Sequence, residues 1–439
     1  MNNWSRSRWG AAGETGRKSP QGGHVGQTAL RAGIPDRRLT MDGTPLGVRV
    51  SAVLPAGGYG ERLRAPKPKQ FCSLLGRALF SHTLIVFDSV PWIEEVVVVV
   101  TAEHTNEARS ILKSSRYTKV TLAQAGSSRH RSILSGLDLL SKRASGPPDI
   151  VIIHDAVRPF VETETMMAVV NAAMECGAAG VVRPLVSTVV KVDGEGLLED
   201  SLERSKYRAS EMPQAFRFTV IHGAYLKCSE YELDFGTECL HVALKYAGTR
   251  SRLLPGSPDL WKVTYKKDLH AAEGLMKDAL AKDMCWLCQE DRLCGPAAEL
   301  KSALGRRFAL NEARNSTFMS EQTNIFNFIC VQFADQKQDL ESAALLNKVL
   351  EHKQWRHLPV VLILVLFAHP SLLSELHGAF PCDRSLALSA QEKGVLVYGL
   401  LVNSSEGETG QEVVSRAMGV VESLVESRDS RLVGQLFSS

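Results

Sequence analysis

The chain has 439 residues, 23% of them charged and 44% hydrophobic, with 51 Lys and Arg against 48 Asp and Glu. That length exceeds what one ordinary hydrophobic core supports, so two domains and a tail are expected. A net charge of +3 is too weak a field for non-specific nucleic-acid binding; no nucleic-acid partner is expected, and an anionic ligand has to be held by local charge.

Residues 1–46 are rich in Gly, Arg and Ser, lack the apolar face of a targeting helix, and read as a disordered tail. Regular patterning begins at Val48. "VRVSAVLPAG" is a short apolar strand ending in a glycine turn, "LFSHTLIVFDSV" has helical spacing, and "EEVVVVVT" is a continuous apolar strand. A polar helix from about His104 leads to the strand "KVTLAQAG", the helix "SRHRSILSGLDLLSK" and the strand "DIVIIHDAVRP". Apolar strands alternating with helices predict a mostly parallel, Rossmann-like α/β sheet covered on both faces. Its ligands would lie beyond the carboxyl ends of the strands, where Ala56 to Lys69, Gly126 to Ser132 and His154 to Pro159 fall.

From about Leu185 to Phe216 the pattern changes. Asp193-Gly194 flanked by β-branched residues predicts a β-hairpin arm projecting from the sheet. The parallel pattern then resumes, giving a first domain over 47–282. Residues 283–439 form a second, smaller α/β unit, also Rossmann-like, with strands at "NIFNFICVQF", "LPVVLILVLF" and "GVLVYGLLVN" and a final amphipathic helix. It has no glycine-rich loop and no acidic cluster at a strand end, so a stabilising or partner-binding role without a second active site is expected.

The most apolar run, about 11 residues from Leu358, falls short of the 20 or so that span a bilayer. It reads as a buried strand, and no membrane span is expected. Nine scattered cysteines make no disulfide framework and fit a reducing, cytosolic setting. Cys285, Cys288 and Cys294 cluster, but one CxxC without a nearby histidine reads as ordinary thiols at a domain edge rather than as structural zinc.

The chemistry concentrates in "LPAGGYGERLRAPKPKQ". No Gly-Lys-Ser/Thr follows the glycines, which excludes a Walker A loop. Leu63 stands where a dinucleotide fingerprint needs its third glycine, and the expected acid further on is missing, which disfavours a dehydrogenase. A glycine loop followed by Arg62, Arg64, Lys67 and Lys69 remains. Such a loop can wrap a triphosphate with backbone N–H groups and long cations. Arg64 and Lys67 read as solvated loop charges.

The motifs "PAGGYGERL", "PKQF", "AGSSRHRS", "HDAVRP", "PLVSTVVK", "SLERSKYR", "FGTECL" and "LWKVT", in that order, resemble cytidylyltransferases of the methylerythritol phosphate type. The resemblance is strongest to the animal branch that acts on D-ribitol 5-phosphate, covers about residues 47 to 282, and continues through that branch's C-terminal domain. Departures are few: Ala-Gly-Gly stands where bacterial relatives often have Ala-Ala-Gly, and Glu203 where they can have Asp. The segments "MPQAFRF" and "FGTECL" fit the animal branch better than the isoprenoid one.

The resemblance implies transfer of CMP from CTP to a pentitol phosphate with Mg²⁺, the product serving as ribitol phosphate donor for protein O-mannosyl glycans. It implies Arg62, Lys69 and Lys262 as catalytic cations. Pro55, Ala56, Gly57, Gly58, Gly126, Arg129, Ser132, Asp155 and Ala156 would line the nucleotide, with Asp155 also on the metal. Arg158, Thr188, Arg204 and Thr237 would meet the acceptor. It further implies a homodimer in which the hairpin arm embraces the second subunit. The same residues make chemical sense alone. A phosphate nucleophile is already anionic, so its attack on the α-phosphorus calls for positioning and charge stabilisation rather than proton transfer. Two alternatives stand: methylerythritol phosphate as acceptor, and a catalytically silent nucleotide-binding scaffold. Four ionic groups around one pocket speak against the scaffold.

Overall fold

A computed structural model describes residues 47–115, 117–288, 295–313, 325–334, 358–368, 384–403 and 408–439. The expected tail over 1–46, Cys294 and part of the C-terminal unit lie outside the described residues.

In chain order the strands are β1 (Val50–Pro55), β2 (Ser73–Leu74), β3 (Arg77–Ala78), β4 (Ile93–Val100), β5 (Val120–Gln124), β6 (Ile150–Ile153), β7 (Ala178–Pro184), β8 (Val190–Val192), β9 (Leu198–Ser201), β10 (Arg208–Arg217) and β11 (Arg252–Pro255). Seven of them form one sheet in the order β11-β7-β10-β6-β1-β4-β5. Strand alternation sorts the side chains to two faces. Val50, Ala52 and Leu54 pack against the helices Leu79–Ser89 and Thr163–Cys176. Val53 faces the other way, toward the helices Arg129–Ser141, Phe218–Tyr225 and Cys239–Ala247. Both faces are therefore covered, and the polar ends of the strands are left to make a site.

The sheet is parallel except for β10, which runs antiparallel to both β6 and β7. Periodicity could not show this, because a strand buried on both faces reads the same in either direction. The chain leaves β7 and returns as its neighbour β10 through the expected arm, a return that needs no crossover helix. In the arm, β8 and β9 pair only with each other among the described strands. The turn is longer than the two residues expected: the Asp193 carboxylate accepts from the N–H groups of Glu195 and Leu197, each at 2.9 Å, and the positive φ falls at Gly196.

The C-terminal unit adds β12 (Asp283–Cys288), β13 (Ala309–Ala313), β14 (Asn327–Ala334), β15 (Val360–Ala368), β16 (Val395–Val402) and β17 (Leu436–Ser438). They form a wholly parallel sheet in the order β13-β12-β14-β15-β16-β17 with its own core. The three strands read from the sequence are β14, β15 and β16; at the edges the more polar β13 and the three-residue β17 lacked a pattern. Cys285 lies buried in β12, where burial pushes its thiol up to about 12, the protonated state of a packing residue. None of the described helices is long and apolar enough to cross a membrane.

One contact fixes how the site helix meets the sheet. A Cβ on Gly136 would lie 2.6 Å from Val53 Cγ1 and 3.1 Å from Val99 Cγ2, so the helix Arg129–Ser141 approaches β1 and β4 as closely as a glycine permits. Gly136→Ala must push that helix off the sheet, and overpacking of this kind costs about 1–3 kcal/mol. We expect a lower unfolding midpoint in urea together with a raised KM for the nucleotide; an unchanged midpoint would show that the helix has slack.

Candidate active site

The carboxyl ends of β1 and β6 lie side by side in the parallel sheet, and the segments that follow them meet there. After β1 the chain runs through Pro55, Ala56, Gly57 and Gly58. A Cβ on Gly57 would stand 2.6 Å from Ala125 Cβ, so the loop can pass this close only as glycine, whereas Gly58 faces open space. Gly60, at φ 71, turns the chain into the short helix that carries Arg62. The side-chain amide of Gln70 donates to the carbonyls of Ala56 at 2.6 Å and Gly58 at 3.0 Å, tying this loop to the turn that holds Lys69.

Lys69 is 9% exposed, and its ammonium donates to the Val263 carbonyl at 3.0 Å. Burial, then the charge of Lys262 and more weakly those of Arg62 and Arg158, lower its pKa to about 8 against the pull of Asp155. Arg62 is exposed, with its guanidinium 5.9 Å from the centre of the Tyr265 ring.

Asp155, which follows β6, is the centre of the cluster. It is 4% exposed. One carboxylate oxygen accepts from Arg129 Nε at 3.2 Å and Nη2 at 3.1 Å. The other accepts from Arg158 Nε at 3.0 Å and pairs with Lys262 Nζ at 3.2 Å. Burial alone would push its pKa up, but Arg129, Lys262 and Arg158 together hold it well below the usual carboxylate range. Asp155 therefore stays ionised across the whole working pH range. Its neighbour His154 is fully buried, bonds the Arg158 carbonyl and, lowered by burial to about 4, stays neutral.

A second carboxylate backs the first. Glu211 of β10 accepts from Arg158 Nη1 and from Arg183 Nε at 3.2 Å and Nη2 at 3.0 Å. Arg158, 8% exposed, also donates to the Leu260 carbonyl at 2.5 Å. The sequence reading missed Glu211, Arg183, Gln70 and Tyr265. Gln70 stands inside the segment "PKQF" and Glu211 just before "MPQAFRF", but lone polar residues there carry no signal until the fold supplies their partners.

The nucleotide-side candidates on the next segment act mainly through the loop. Ser132 donates to the Ser128 carbonyl at 2.7 Å, and Gly126 lies so close to the helix that a Cβ would fall 2.5 Å from Arg131 Cβ. Arg129 also donates to the carbonyl of Thr237 at 3.2 Å, leaving the Thr237 side chain exposed. Ala156 is fully buried, with its carbonyl accepting from Thr83 at 2.9 Å.

Thr188 and Arg204 are not brought to this cluster by their own chain. Both are exposed at the base of the arm, where Arg204 Nη1 donates to the Val186 carbonyl at 2.7 Å. The arm around them exposes large apolar side chains: Val186 at 88%, and also Val190, Val192, Leu197 and Leu198.

The donor set suits Mg²⁺ in one manner only. Asp155 is a single carboxylate whose two oxygens already gather four N–H donors, so the site is no preformed cage. It matches an ion that takes one or two carboxylates and completes its shell with phosphate oxygens.

Residues 50–278 match the family of 2-C-methyl-D-erythritol 4-phosphate cytidylyltransferase. The chain belongs to this family. The Homo sapiens protein called D-ribitol-5-phosphate cytidylyltransferase is 43% identical over 404 residues, covering 88% of this chain and 89% of its own. The Xenopus tropicalis protein of that name is 41% identical, covering 88% of this chain and 97% of its own. The 2-C-methyl-D-erythritol 4-phosphate cytidylyltransferase of Thermobifida fusca is 34% identical and covers 53% of this chain and 96% of its own. This cytidylyltransferase family thus accounts for the first sheet, while the animal proteins extend through the second.

Lys69 generates the first chemical prediction. Its ammonium is charged below about pH 8 and loses its proton as pH rises through that value. In the free enzyme kcat/KM for the nucleotide, which reports the free-enzyme groups, should fall above about pH 8. Lys69→Arg, charged throughout, should lose that limb of the profile. A wild-type profile flat to pH 9.5 would mean the Lys69 charge is not used.

Proposed function

We propose that this chain transfers CMP from CTP to D-ribitol 5-phosphate, giving CDP-ribitol and pyrophosphate. The observation that carries the reading is the cluster at the strand ends: Asp155 holding Arg129, Arg158 and Lys262, with Lys69 repelled by Lys262 and Arg62 beside it. These cations exceed their counter-anions and call for a polyphosphate. The animal relatives, similar over nearly their whole length, support the pentitol phosphate as acceptor.

In this reading a phosphate oxygen of the acceptor forms a bond to the α-phosphorus of CTP while the bond from that phosphorus to the bridging oxygen breaks. The electron pair leaves with pyrophosphate, and no proton need move. Arg62 and Lys69 hold the β- and γ-phosphates, and Lys262 leaves Asp155 for the α-phosphate as charge grows there. Each cation exchanges a protein acceptor for a phosphate, so little reorganisation is needed at the moment of reaction. Gly57 and Gly58 let backbone N–H groups approach the phosphates. Arg129, Ser132 and Gly126 shape the cytidine side. Arg158, anchored between Asp155 and Glu211, serves by keeping that wall rigid. Mg²⁺ would be held by Asp155 with phosphate oxygens and would offset charge on the triphosphate.

The acceptor is bound from a second subunit. A two-stranded hairpin alone is marginally stable in water, and the apolar exposure of this one suits burial in a two-fold homodimer. Thr188 and Arg204 would then meet the acceptor in the partner's pocket, together with Thr237. The cytosol suits a chain in which Cys72, Cys176, Cys228, Cys239 and Cys285 are free thiols, and the product would feed ribitol phosphate into protein O-mannosyl glycans.

Three measurements test these statements. With CTP and Mg²⁺, D-ribitol 5-phosphate should release pyrophosphate faster than methylerythritol phosphate, and ATP and GTP should be poor donors; the opposite acceptor order would overturn the assignment. Asp155→Asn should abolish turnover, because the amide cannot balance three cations or ligate the metal; retention of most activity would move the metal elsewhere. Arg204→Ala and Lys69→Ala homodimers should each be nearly inactive, whereas co-expression should restore roughly a quarter of wild-type activity, half the dimers being mixed and half their sites intact. Proven heterodimers as inactive as their parents would place Arg204 within its own chain's site or outside catalysis.

A further inference from the structure

A second concentration of unpaired positive charge lies away from the Asp155 cluster. Between the two sheets is a cleft of about 1100 Å³, bordered by the β2–β3 hairpin, the helix Thr105–Ser115, the amino ends of β15 and β16, and Arg428. Its volume is slightly above the roughly 300–1,000 Å³ usual for small-molecule sites. Lys67 and Lys277 line it but are paired, with Glu107 at 3.5 Å and Glu273 at 2.7 Å. Among the described residues, what is left is Arg77, Lys393 and Arg428 against the carboxylate of Glu392.

Two of these cations are in unusual positions. Arg77 is half-buried, with no hydrogen bond or ion pair among the described residues, and burial lowers its pKa. Arg428 is 5% exposed and, among the described residues, donates only to neutral acceptors: the carbonyls of Pro359 at 2.8 Å and Leu280 at 3.0 Å, and the Asn327 side chain at 2.6 Å. Its Nε has no partner. A desolvated guanidinium without a counter-anion is costly to keep, and the planar fork of arginine is well matched to phosphate.

We propose that this cleft binds a phosphorylated small molecule of nucleotide size, gripped by Arg77 and Lys393 in the field of Arg428. Its place in the chain gives it a route to the catalytic loop. Lys67 and Phe71, two residues to either side of Lys69, both line the cleft, so an occupant bears directly on the turn that holds Lys69. Binding stands on the cleft alone; only its effect on turnover rests on the function proposed above.

The test is a calorimetric titration of the full chain with inorganic pyrophosphate and, separately, with ATP. Two classes of phosphate site per chain are expected. One should weaken on the order of tenfold in Arg77→Ala and in Lys393→Ala, the loss of a charge-assisted hydrogen bond, and the other should weaken only in Arg62→Ala. Lys393 is exposed, so its variant keeps the test intact should Arg77→Ala unfold. If no site weakens in either Arg77→Ala or Lys393→Ala, the proposal is overturned. Absence of cytidylyl transfer alongside an Arg77-dependent site would instead count against the catalytic reading alone.

Discussion

A carboxylate buried at the end of β6, with three cations drawn against it, is the constraint around which the first domain is arranged. Arg129 comes from the start of a helix, Arg158 from the loop after the strand and Lys262 from a segment more than a hundred residues on, yet all three bond Asp155. Such a group of like charges has no reason to gather in a partly desolvated pocket unless an anion stands among them. Asp155 supplies that anion from within the protein. It balances the cluster only in part, so burial first and the field of Lys262 second make the charge of Lys69 expensive until a polyphosphate arrives.

The one antiparallel strand belongs to the same arrangement. The chain leaves the sheet after β7, makes the arm, and re-enters as β10, delivering Glu211 beneath Arg158 and Arg183. A parallel continuation would have required a crossover helix there and left no arm. The return therefore provides both the counter-charge that steadies Arg158 and a long exposed hairpin with Arg204 at its base. Among the described residues nothing covers this hairpin's apolar side chains, which is the feature the proposed two-fold pairing would satisfy.

Much of the frame was legible because it rests on local pattern. The apolar strands 93–100 and 150–153 and the helices over 79–89 and 129–141 follow from periodicity, and the glycine loop from its composition. The direction of β10 was not, since a doubly buried strand has no sign in its side chains. The polar edge strand β13 and the three-residue β17 gave no run to detect. At the site, charged motif residues stood out, whereas Gln70 and Glu211 are visible only through partners distant in sequence. Ser132 taught a different lesson: its position is as expected, but its hydroxyl is bonded to the Ser128 carbonyl, so it shapes the loop.

The central claim is that these cations are held ready by protein acceptors and handed over to a triphosphate. A crystal structure of the chain with CTP and Mg²⁺ tests it most directly. The account predicts that Lys69 Nζ leaves the Val263 carbonyl and Lys262 Nζ leaves Asp155, each for a phosphate oxygen, while Arg158 stays between Asp155 and Glu211. A triphosphate bound elsewhere, with Lys69 still on Val263 and Lys262 still on Asp155, would contradict it.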